Sequence, residues 1–94
     1  MKIKIYFRKN LRLPDVKLAS CCTHIGKELA RKSSLSDPWD DVVIILSASD
    51  KKFGEYKQYC IDNSDTLKYH LHIDRGFTCV DEGTECAIGW IEEE

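Results

Sequence analysis

The chain is predicted to be an α+β protein: a two-layer sandwich of one amphipathic helix on a five- or six-stranded, mainly antiparallel sheet, in the order β-α-β-β-β-β-β. Three observations lead there. Residues 2–8 alternate apolar and polar, which suits a strand half-buried on a sheet. Leu18, Cys22, Ile25 and Leu29 recur at helical spacing. From Val42 to Leu46 five aliphatic residues follow one another, mostly β-branched. So short an apolar run reads as a central strand covered on both faces.

The first strand points Ile3, Ile5 and Phe7 one way and Lys2, Lys4, Tyr6 and Arg8 the other. Pro14 and Asp15 open the helix, and Arg31 and Lys32 near its end complement its dipole. Gly26 in mid-helix costs about 1 kcal/mol relative to alanine, which predicts close approach of a neighbouring backbone. Asp37-Pro38-Trp39-Asp40 reads as one capped turn before the central strand. Ser49 to Gly54 reads as a polar turn, Glu55 to Ile61 as a strand and Thr66 to Asp74 as a strand. In the latter, Leu67, Tyr69, Leu71 and Ile73 are expected inward and Lys68, His70 and His72 outward. A hairpin of Phe77 to Asp81 with Glu85 to Ile91 completes the sheet. A two-residue turn at Glu82-Gly83 sets Cys79 opposite Cys86 and turns Cys86, Ile88 and Trp90 inward, whereas a three-residue turn, Asp81-Glu82-Gly83 with a bulge, turns that set outward; the first is favoured because it buries Trp90.

Ninety-four residues bound one domain, 1–94, with a modest core. The composition, 43% hydrophobic and 32% charged, is globular rather than disordered. The longest apolar run is five residues, so neither a signal peptide nor a membrane span is expected. Five cysteines at irregular spacing suggest reduced thiols and a cytoplasmic setting. The net charge of −2 conceals a gradient: residues 1–34 carry nine basic and two acidic groups, residues 62–94 two basic and nine acidic.

No catalytic constellation, cofactor motif or metal site is assigned. His70-x-His72 puts two imidazoles on one strand face, but no cysteine pair has zinc-finger spacing. Ser20, Cys21 and His24 lie together on the helix without a nucleophile elbow or phosphate loop. Function is expected to be binding. The size, the acidic end and the lack of motif resemble, in style, small inhibitory proteins of bacteria and phages, such as immunity proteins and anti-defence inhibitors. The expected partner is a larger protein whose functional surface is occluded. Asp37, Trp39, Asp40 and Asp41 would form one part of the contact and Asp81, Glu82 and Glu85 another. The alternative is a nucleic-acid-binding domain that uses an open sheet face bearing Lys4, Tyr6, Arg8, Tyr59 and Lys68.

Overall fold

The computed structural model describes residues 2–33, 42–76 and 79–92. Among them are four strands and two α-helices in the order β1 (Lys2–Arg8), α1 (Asp15–Lys32), β2 (Val42–Ala48), α2 (Asp50–Asp62), β3 (Tyr69–Ile73) and β4 (Glu85–Glu92), with a 3-10 turn at Lys9–Leu11. The sheet is mixed, with strand order β2-β1-β4-β3. β1 and β2 run parallel, Ile5 opposite Ile45, while β4 is antiparallel to both β1 and β3. The α+β class is as expected. Among the described residues the strand number is four rather than five or six.

β1 and α1 follow their local patterns. Ile3 and Ile5 are buried, and Cys22, Ile25 and Leu29 of α1 cover them together with Ala87 and Ile91 of β4. The close backbone approach comes from the sheet side, not from Gly26, around which an added Cβ would meet open space. It is at Gly89, where a Cβ would lie 2.5 Å from Ile25 Cγ2. A glycine in a central strand is what lets the helix settle there.

The longest difference from expectation is Asp50–Asp62. It is a helix, not a turn followed by a strand. Ser49 caps it by accepting the Lys52 backbone N–H at 3.2 Å. Phe53, Tyr56 and Cys60 fall at i, i+3 and i+7, and this sparse stripe packs with Ala48, Ile88 and Trp90. Gly54 inside the first turns and the alternating Tyr-Lys-Gln-Tyr run masked the period. The residues of β1 and β4 that meet α2 alternate with those that meet α1, so α2 covers the face that the sequence left open. Lys57 and Tyr59 therefore lie on a helix rather than on a strand of the sheet.

The aliphatic run of β2 is an edge strand. Val42 and Val43 are 53% exposed, Ile45 and Leu46 46%. The central strands are β1 and β4, and Cys86 to Ile91 is buried throughout. Continuous hydrophobicity marks a strand but not its place in the sheet. Trp90, Ile88 and Cys86 are buried as expected. Their neighbours are β1 and β3 rather than a Phe77 to Asp81 strand: residues 77 and 78 lie outside the described residues, and Cys79 is exposed and in no strand. Among the described residues no helix is long and apolar enough to cross a membrane.

Candidate functional site

Beside its apolar stripe, α1 carries a polar one. Lys17, Ser20, His24 and Glu28 fall at i, i+3, i+7 and i+11, one line along the helix. Because α1 sits across β4 and β3, this line overhangs the edge strand β3. β3 answers with period two: His70 and His72 face α1, while Leu71 and Tyr69 pack toward α2. Between the two elements lies a cleft of about 530 Å³.

All three histidines of the chain line it. The His24 and His72 rings stack with centroids 5.2 Å apart and planes 13° from parallel. Burial pushes the His72 imidazole below its ordinary value, and His24 and Lys17 add to the shift. Burial likewise lowers His70, with Lys32 contributing. Both shifts favour the neutral imidazole, the form that can accept a proton.

At one end of the cleft Lys17 forms an ion pair with Asp74 Oδ2. The Asp74 side chain is 2% exposed and that of Lys17 14%. The pair is locked by backbone. Gly76 N–H donates to Asp74 Oδ1 at 2.7 Å. The Asp74 N–H donates to Thr84 O, and the Gly83 N–H donates to Asp74 O, both at 2.9 Å. A bulge between His72 and Ile73, opposite β4, lets the chain turn Asp74 beneath α1. The hydrogen bond to Asp74 raises the Lys17 ammonium above its ordinary value. Lys17 is therefore a fixed positive charge rather than an amine nucleophile. Arg75 flanks this end of the cleft, exposed. At the other end Lys32 donates to Tyr69 O at 2.6 Å. Glu28 is the remaining carboxylate in the lining, and Arg31 donates to it at 2.9 Å. Behind Lys17 the Cys21 and Cys86 thiols are fully buried, and burial pushes Cys86 up to about 11.

The residues expected from sequence are distributed differently. Asp37, Trp39, Asp40 and Asp41 lie outside the described residues. Asp81 and Glu82 are exposed ahead of β4, whereas Glu85 is held by Lys57 through both carboxylate oxygens, at 3.0 and 2.7 Å. Of the alternative set, Tyr6 is under α2, its ring stacked 4.0 Å from that of Tyr56 and 5.5 Å from that of Trp90. Lys4 pairs with Glu92 at 3.2 Å. Arg8 binds Asp50 at 3.0 Å and Glu85 O at 2.9 Å. Tyr59 lies on α2, half-exposed against Trp90, and Lys68 is exposed just before β3. These five do not share an open platform.

Sequence alone singles out Ser20 with His24 and His70 with His72 but does not join the two pairs, and it passes over Lys17, Glu28 and Asp74, which look like ordinary solvent-facing polarity. The available signal was Lys17-x-x-Ser20-x-x-x-His24-x-x-x-Glu28 at helical period and His70-x-His72-x-Asp74 at strand period. Among the described residues no group of three or more His, Cys, Asp or Glu is placed to hold a metal ion. No protein-family model matches the chain, and no curated protein is found to be similar to it.

Proposed function

We propose that the α1–β3 cleft is the active site of a small hydrolase that cleaves an acyl ester in a negatively charged substrate. The observation that carries this reading is the nearly buried Lys17–Asp74 pair at the end of a cleft that also gathers His24, His70 and His72. Perturbed titratable groups converging on a concavity are a usual mark of acid–base chemistry. Neutral His72 takes a proton from water as that water attacks the ester carbonyl. The Lys17 ammonium, aimed by Asp74, stabilises the oxyanion that forms. The tetrahedral adduct then collapses to acid and alcohol, and the proton on His72 passes to the departing alkoxide. Arg75 and Lys32 at the two ends favour a substrate bearing negative charge.

The test compares two chromogenic esters, neutral 4-nitrophenyl acetate and anionic 4-nitrophenyl hemisuccinate, with wild type, Lys17→Met and His72→Asn. The wild type is expected to prefer the anionic ester. Each substitution is expected to lower kcat/KM by about 10²-fold or more. Rates that survive both substitutions, or the absence of turnover of either ester, would overturn the hydrolytic reading.

One observation favours the binding module expected from sequence. The outer edge of β2 has no strand partner among the described residues, and its seven residues carry neither charge nor proline, the devices that usually protect an edge. In this second reading an extended segment of a larger protein adds to β2 as a further strand. Ile45→Lys would then abolish capture of that protein and leave ester turnover unchanged. Retained capture by Ile45→Lys counts against the edge.

A further inference from the structure

We infer that Gly76 is a positioning residue of the cleft, whose backbone N–H and left-handed conformation aim the Asp74 carboxylate at Lys17. The inference rests on the hydrolytic reading for its kinetic consequence, though not for its structural one. Two glycines in this region have positive φ, Gly76 at +83° and Gly83 at +87°. They differ in surroundings. A Cβ on Gly83 would meet nothing within 4 Å, whereas one on Gly76 would lie 2.9 Å from Glu82 Cβ and 3.1 Å from Glu82 N. Gly76 is thus pressed onto the returning chain while its N–H reaches Asp74 Oδ1 at 2.7 Å.

The Gly76 N–H bonds Oδ1 of the carboxylate, and the Lys17 ammonium bonds Oδ2. A side chain at position 76 needs a strained φ and must push Glu82 or itself away. Either movement carries the N–H off Oδ1. The carboxylate then turns about its own axis, and the Lys17 ammonium loses its aim. An alanine at position 54, on α2 and away from the cleft, would meet nothing within 4 Å, so it is the control.

The experiment follows the Lys17 ammonium by NMR titration in wild type, Gly76→Ala and Gly54→Ala, alongside turnover of 4-nitrophenyl hemisuccinate. In Gly76→Ala the Lys17 midpoint is expected to fall toward the ordinary lysine value. kcat is expected to drop about 10²-fold, as for a misplaced catalytic group, with KM within about threefold. Gly54→Ala is expected to keep the wild-type Lys17 midpoint. If Gly76→Ala does not fold, Gly76→Asn, which tolerates a left-handed φ better but keeps the collision with Glu82, carries the same comparison. An unchanged Lys17 midpoint in the Gly76 variant overturns the inference. A shifted midpoint with unchanged kcat leaves the positioning role standing and overturns the hydrolytic reading instead.

Discussion

Removing Lys17 should cost far more stability than its place near the surface suggests. In Lys17→Met the Asp74 carboxylate, 2% exposed, loses its ammonium partner and keeps the Gly76 N–H. Breaking a buried pair from one side costs about 3–5 kcal/mol. The Lys17 side chain is 14% exposed, so water enters part of the gap and the lower end applies, about 3 kcal/mol. Asp74→Asn is milder. The amide oxygen still accepts from Gly76, and the flexible lysine can swing its charge to solvent, which leaves about 1–2 kcal/mol. The double variant Lys17→Met/Asp74→Asn contains no buried charge at this position. Its loss should be smaller than the sum of the singles by about 2 kcal/mol. For a chain of this size a loss of 3 kcal/mol lowers the melting temperature by about 12–24 °C. Thermal and urea unfolding followed by circular dichroism measure both quantities. A Lys17→Met protein within about 0.5 kcal/mol of wild type, or additive single losses, would refute the description of this pair as desolvated and coupled.

Further outcomes follow from the same structure. His70 and His72 have lowered folded pKa values, so their contribution to stability is complete above about pH 6.5, the unfolded value, and declines as the pH falls below it; melting curves at pH 7 and pH 5 should separate, and His72→Gln should reduce the separation. Lys17 acts in the opposite direction, its contribution being present at neutral pH and lost as the pH rises past about 10.5 and through its raised folded value. Cys79 is exposed whereas Cys21, Cys22, Cys60 and Cys86 are buried, with burial pushing Cys60 up to about 12, so a disulfide reagent at pH 8 should titrate one thiol rapidly and the other four only in denaturant. Gly89→Ala places a Cβ 2.5 Å from Ile25 Cγ2 and 3.0 Å from Ile5 Cγ1, and should cost about 2–3 kcal/mol; adding Ile25→Ala should cost less in that background than in wild type, and equal costs would argue against the contact.

The elements that the sequence disclosed are those whose pattern closes within a few residues. β1 shows its alternation in residues 2–8, and α1 its stripe from Leu18 to Leu29. The cores of β3 and β4 also lie within the strands expected there. For these, the side chain that must be buried announces its period locally. α2 escaped because three anchors, Phe53, Tyr56 and Cys60, are too few to outweigh a glycine and an alternating aromatic run. Position within the sheet is another matter. Val42 to Leu46 is more continuously apolar than β1, yet β1 is central and β2 is the edge. Hydrophobicity states that a strand is to be covered, whereas coverage depends on where helices from elsewhere in the chain come to rest. The cleft depends on that placement entirely. Lys17 and Asp74 are 57 residues apart, each an unremarkable charge in its own segment. What the sequence determined was that each lies on the polar line of a helix or at the end of a strand. Gly89 brings α1 down onto β4, that contact hangs Lys17 and His24 over β3, and the bulge at His72–Ile73 turns Asp74 up to meet them. Packing over long sequence separations, which no local period encodes, decided that these side chains share one site.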